Sequence, residues 1–313
     1  MSAPASAEPA GDVLRLDAHR PSSLLLGSSL VLALLMWSFN YVAGKIALSH
    51  LDPLSLASFR LVVAALVILP FYLAQRDRRP LFPHDRAGAI YVVLLGLAMT
   101  VNQGLFTIGL AFTSSGHSSI ILACGPVIVL LLAVAIKQES FTAGKLLGTA
   151  LAFGGVIVLE TERGLFAHSP FPKGDMITLA GTSSFALYVV FGKKIAREYD
   201  SLTMNTVNMV VCALAVAPLA IWQGIHLDWR SVGWAGWIGM FYMAAFSSVA
   251  AYVLFYWALR YMSASRVTAV NYFQPVGAII LATLFLHEPV TGYLLAGAAL
   301  VVLGVYLAER GKG

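Results

Sequence analysis

The chain has 313 residues, of which 59% are hydrophobic and only 11% are Asp, Glu, Lys or Arg, with a formal net charge of +5. Soluble domains carry about 25% charged residues, so this composition excludes a water-facing globular surface and points to a polytopic protein of the lipid bilayer. The basic excess then belongs to cytoplasmic loops, with no nucleic acid as partner.

In chain order, residues 1–23 are rich in Ala, Ser and Pro, carry Glu8, Asp12 and Asp17, and read as a disordered cytoplasmic tail, not a signal or transit peptide. A ruler of about 20 apolar residues per crossing then gives ten helices. They fall at roughly 24–48, 54–73, 87–110, 115–136, 142–160, 174–194, 202–222, 232–259, 265–286 and 290–308, numbered here as spans one to ten. The expected class is therefore all-α integral membrane, with connections too short for an extramembrane domain. Cys124 and Cys212 lie inside apolar runs, without CxxC or Cys/His spacing, so neither a metal site nor a disulfide framework is indicated, and no cofactor is called for.

Basic residues orient the spans. With the N-terminus inside, 15 of the 20 Lys and Arg fall on the cytoplasmic side, leaving Lys45, Arg60, Arg163, Lys173 and Arg230 to the outer half. Both termini are expected inside, in the plasma (inner) membrane.

The chain also repeats itself at an offset of 149. Pro126 and Glu139 of CGPVIVLLLAVAIKQE align with Pro275 and Glu288 of FQPVGAIILATLFLHE. Leu105-Phe106 aligns with Leu254-Phe255, and Thr142, Gly148, Gly155 and Glu160 align with Thr291, Gly297, Gly304 and Glu309. Span two matches span seven at 148, with Pro70 on Pro218. Two units of five spans result, at 24–160 and 174–308. Five is odd, so the second unit enters the membrane from the opposite side, giving two inverted five-helix repeats. Inverted repeats are characteristic of secondary transporters, whose substrate lies near the midplane between the halves. An integral membrane enzyme or a channel with a duplicated bundle is the alternative, but no cluster of His, Asp, Cys or Ser with a base supports catalysis.

WSFNYVAGK in span one, FR in span two, SSGHSSIILACGPVIVLLLAVAIKQESFTAGKLLGTALAFGGVIVL and SASRVTAVNYFQPVGAIILATLFLHEPVTGYLLAGAALVVLGVYL resemble the EamA family of the drug/metabolite transporter superfamily. The resemblance covers about residues 24–308. It implies a ten-helix, two-repeat exporter-type fold around a central cavity, moving amino acids, other metabolites or drugs.

Within that frame Pro126 and Pro275 read as packing kinks or hinges near mid-span, since proline removes a helical hydrogen bond. Glu139 and Glu288 read as helix-terminus caps or, alternatively, as proton carriers. Gly144, Gly148, Gly154, Gly155, Gly297 and Gly304 suit close packing of spans five and ten. Polar residues at membrane depth point to a solute path. The candidates are Trp37 and Asn40 in span one, Arg60 in span two, Asn102 and Gln103 in span three, and Ser184 and Tyr188 in span six. Ser248 and Tyr252 follow in span eight, Asn271 and Gln274 in span nine. Interhelical hydrogen bonding competes with a cavity role for each. His117 reads as a satisfied interfacial histidine. No acid falls at a span's midplane, which favours neutral or zwitterionic small-molecule solutes. Arg60 has two readings: a fork holding backbone carbonyls or Asp52, or a group that attracts a solute carboxylate.

Overall fold

The computed structural model describes residues 21–75, 80–83, 85–136, 142–161, 173–192, 199–261 and 273–310. Every regular element among them is helical. The first half supplies α1 Ser23–Leu48, α2 Pro53–Ala74, α3 Arg86–Phe112, α4 Ser115–Ala123, α5 Gly125–Ala135 and α6 Ala143–Thr161. The second supplies α7 Lys173–Gly192, α8 Ser201–His226, α9 Trp234–Tyr242, a π-helical segment Met243–Ala250, α10 Ala251–Tyr261, α11 Gln274–Leu286 and α12 Gly292–Arg310. Among the described residues, seven stretches are long and apolar enough to cross a bilayer, with Ser115–Leu132 joining α4 to α5 and Trp234–Ala258 running from α9 into α10. Ala143–Val158, Gln274–Leu286 and Gly292–Leu307 are shorter apolar helices, and these stretches together occupy the ten segments expected from hydropathy. The tail to residue 20, Glu139 and Asn271 lie outside the described residues.

Burial is distributed as lipid demands. Leu24, Leu66, Ile225, Trp234 and Leu284 are exposed, while Arg60, Gln103, Asn205 and Ser248 are buried. Apolar side chains face outward because the surrounding solvent is hydrocarbon, and polar groups must find partners inside.

Asp52 and Asp200 occupy matching places before α2 and α8. Asp52 Oδ1 accepts from Leu54 N and Ser55 N, both at 3.0 Å. Asp200 Oδ1 accepts from Leu202 N at 3.1 Å and Thr203 N at 3.0 Å. Each carboxylate thus fills two of the donors that a helix start leaves orphaned. In span four the helix ends at Ala123 and restarts at Gly125, with Pro126 in the first turn of α5. Pro275 likewise sits in the first turn of α11. Proline there removes no intrahelical bond. The expected interruption near mid-span is thus present in span four, where Pro126 opens the second helical segment, and Pro275 opens the described helix of span nine.

Span five packs along span ten, span three along span six, span two along span seven, and span one against spans eight and nine. The glycine contacts at the first of these are reciprocal. A Cβ on Gly155 would lie 2.7 Å from Gly297 O, and one on Gly304 would lie 2.6 Å from Gly148 O. Gly154 departs from expectation, because nothing lies within 4 Å of its would-be Cβ. Contacts at one end of the bundle join α1 to α9 (His50 beside Gly233), α2 to α8 (Gln223 Nε2 donating to Asp52 Oδ1, 3.4 Å) and α3 to α7 (Thr113 donating to Asp175). The carboxylate of Glu288, just past α11, accepts from Ser115 N at 3.0 Å and Ser115 Oγ at 2.9 Å. Glu288 is a helix-terminus cap, as one of its two readings has it, but for span four in the other half and not for the helix that follows it.

Candidate functional site

Arg60 enters the centre of the bundle from α2, two turns past the Asp52 cap. Its side chain does not turn back to Asp52, which is occupied by the α2 amides and Gln223. Instead Nη1 donates to Thr107 Oγ1 at 3.0 Å, and Nη2 donates to Gln103 Oε1 and, at 3.3 Å, to Ser248 Oγ. The guanidinium also lies over the Phe106 ring, 5.8 Å from its centroid. Gln103, Phe106 and Thr107 come together because they are spaced three and four residues apart on α3, one face of the helix. Ser248 arrives from the opposite half on the π-helical segment. Arg60 is 2% exposed, yet its Nε has no partner, and neither has Gln103 Nε2.

The π segment has its own supports. Asn205 Nδ2 donates to the carbonyls of Ser248 and Val249 at 3.1 and 3.2 Å, and Trp37 Nε1 donates to that of Ser247 at 3.1 Å. Side chains from spans seven and one therefore hold backbone groups of the widened turns, a form common at functional sites.

One turn beyond Ser248 begins an aromatic group. Tyr252 meets Trp37 edge-on, with centroids 5.2 Å apart, and lies 5.8 Å from Tyr256. The hydroxyls of Tyr256 and Tyr188 are 3.0 Å apart, and Asn208 Nδ2 donates to Tyr188 at 2.7 Å. A shallow, mostly apolar recess opens beside them, lined by Val92, Leu95, Tyr188, Tyr199, Met204, Val207 and Asn208. At the repeat offsets Arg60 corresponds to Asn208, Gln103 to Tyr252 and Thr107 to Tyr256. The two halves thus place a charged, hydrogen-bonding group and a hydroxylated aromatic group at equivalent positions.

Of the remaining candidates, Gln274 donates from Nε2 to Tyr41 Oη at 3.3 Å, joining span nine to span one. Asn102 donates to Gly181 O at 3.0 Å and Ser184 to Ala98 O at 2.8 Å, so both tie span three to span six. Asn40 is buried with its Oδ1 unpartnered. Thr107, Asn205 and Asn208 were not among the expected site residues. Thr107 carried a signal, its spacing of four from Gln103, whereas Asn205 and Asn208 offered only their depth in span seven. His117, near the start of span four, is satisfied as expected: it is buried, with its Nδ1 3.4 Å from Asp175 Oδ2. Among the described residues no group of three or more His, Cys, Asp or Glu converges to hold a metal ion.

Comparison with known proteins identifies the family. An "Uncharacterized transporter" of Archaeoglobus fulgidus is 27% identical over 90% of this chain and 97% of its own length. The "Probable amino-acid metabolite efflux pump" of Salmonella typhimurium is 26% identical, over 88% of this chain and 92% of its own. A solved crystal structure shares the fold with a TM-score of 0.65 at 17% identity, covering 93% of this chain and all of that one. The profile of the EamA-like transporter family matches residues 25–161 and again residues 172–309. The chain belongs to that family, and is accordingly a multi-pass membrane transporter by relationship.

Proposed function

We propose that the protein is a secondary transporter of the plasma membrane that exports small metabolites, such as amino acids or related neutral or zwitterionic solutes, by alternating access between two inverted repeats. One observation carries the reading: buried polar groups converge from both halves on one buried charge, Arg60, Gln103 and Thr107 from one half and Ser248 from the other. A shared buried polar centre is costly in hydrocarbon and marks a path. A two-fold relation between the repeats is supported by the packing, and an odd number of spans in each repeat implies their inversion. Exchanging each span with the one five places on leaves the main pairings unchanged, including five with ten, two with seven and four with nine. The efflux named for the Salmonella relative favours export. Both termini belong in the cytoplasm on the basic-residue distribution.

The test is counterflow in proteoliposomes containing the full chain and preloaded with unlabelled amino acids. Radiolabelled solute is expected to accumulate transiently, and Gln103→Ala or Gln274→Ala to reduce the rate while the protein remains monodisperse. Absence of counterflow for every amino acid and related neutral metabolite, with folded protein confirmed, would refute the proposed cargo.

A further inference from the structure

We infer that Arg60 and Gln103 form a docking site for the carboxylate of the transported solute, an inference that rests on the transporter reading above. Arg60 is buried, and all three side chains that accept from it are neutral: Thr107, Gln103 and Ser248. No carboxylate among the described residues pairs with it. A guanidinium cannot shed its charge in a protein, and a buried ion without a counter-charge is strongly unfavourable. The centre therefore holds a permanent positive charge that no carboxylate among the described residues compensates.

Hydrogen-bond directions sharpen the chemistry. Thr107 Oγ1 donates to Gln103 O at 3.0 Å, while Ser248 Oγ has Gln103 Oε1 at 3.1 Å and Met243 O at 3.0 Å as acceptors. Both hydroxyls spend their protons there and offer Arg60 only lone pairs. Gln103 Oε1 faces two donors, which fixes its amide orientation, since a flip would set NH2 against the guanidinium. The amide's Nε2 is thereby presented elsewhere, and it is unpartnered, as is Arg60 Nε. Two buried donors beside one uncompensated cation complement an oxyanion. A single carboxylate neutralises the centre; a phosphate dianion would reverse its sign, and a carboxamide would bring no charge. Ser248 closes the site from the π segment, whose backbone is held by Asn205 and Trp37, so that segment is the wall that must yield to admit a ligand.

The experiment melts the purified full-length protein in detergent with the common amino acids, benzoate and hexanoate, each beside its primary carboxamide, and with inorganic phosphate, all at equal ionic strength. At least one carboxylate is expected to raise Tm where its carboxamide and phosphate do not. Gln103→Glu places a carboxylate against Arg60 from within; the variant should fold and bind that carboxylate about tenfold or more weakly. Should it not fold, Ser248→Asp supplies the same charge from span eight. Equal stabilisation by carboxamides or phosphate overturns the inference. So does a wild-type response in whichever of the two variants folds, or the absence of any carboxylate effect. Counterflow separates this from the transporter reading. Carboxylate binding without flux removes transport and keeps the site, whereas equal flux of carboxamides keeps transport and removes the site.

Discussion

At the level of single residues, a charge inside a helix is conspicuous in sequence, but its partners are not. Arg60 stood out, yet the groups that receive it lie 43, 47 and 188 positions away, and only the packing of spans two, three and eight selects them over the nearby Asp52. Caps are more local and so more legible. Burial pushes the Asp200 carboxyl upward, but hydrogen bonds from Thr203 Oγ1, Thr203 N, Gln75 and Leu202 N outweigh it and hold the group below its ordinary range. A depressed folded-state value means a contribution that is present above the unfolded value, near 4, and fades as pH falls through the folded value. Asp200→Ala is therefore expected to cost about 1 kcal/mol at pH 7. The gap in Tm between wild type and variant should narrow toward pH 3. Thermal melts in detergent at both pH values check this; a gap that does not change with pH would mean the charge contributes nothing to the cap.

Whole elements were legible where hydropathy writes them and hidden where hydrogen-bond register decides. MAAFSSVA reads like any apolar helix, and nothing in its composition reports that residues 243–250 form π turns. The remote donors Trp37 and Asn205 are what make that register tolerable, and they come from other spans. The proline of span four was placed correctly, but the helix gives way at Cys124, ahead of it, because proline suits a helix start. Glycines divide in the same way: spacing suggested a packing seam between spans five and ten, yet only the fold separates the glycine that faces it from its neighbour. A Cβ on Gly304 would lie 2.4 Å from Ala152 N, and one on Gly155 2.8 Å from Val301 N, whereas Gly154 meets open space. Gly304→Val and Gly155→Val should each destabilise by about 1–3 kcal/mol or prevent folding, because backbone cannot yield as a flexible side chain does. Gly154→Ala should be neutral or slightly stabilising, since alanine favours the helix. Fluorescence-detected gel filtration after a heating series measures all three. Equal recovery of Gly304→Val and Gly154→Ala would contradict the seam.

On the scale of the molecule, ten spans and their duplication were legible because lipid imposes a length on each helix and duplication preserves turn and cap residues such as Asp52 and Asp200. Which contacts change between conformations is not written there, but the fold offers a specific candidate. Glu288 from the second half clasps the first turn of α4 in the first half, taking both the amide and the hydroxyl of Ser115. The partly exposed clasp lies at the bundle end opposite the recess beside Tyr188, and it crosses between halves, so under the alternating access proposed above it would open when that end admits solute. Joining the two positions covalently should then hold the end shut. Ser115→Cys combined with Glu288→Cys is expected to crosslink readily on oxidation, while native Cys124 and Cys212 stay buried and unreactive. Counterflow by the oxidised protein should fall to background and return on reduction, each preparation serving as its own control for any loss of the carboxylate cap. A reducible band on a gel after cleavage in the intervening loop confirms the bond. If the fully crosslinked protein exchanges solute at the reduced rate, the clasp is a static strut between the halves, and the gate lies elsewhere.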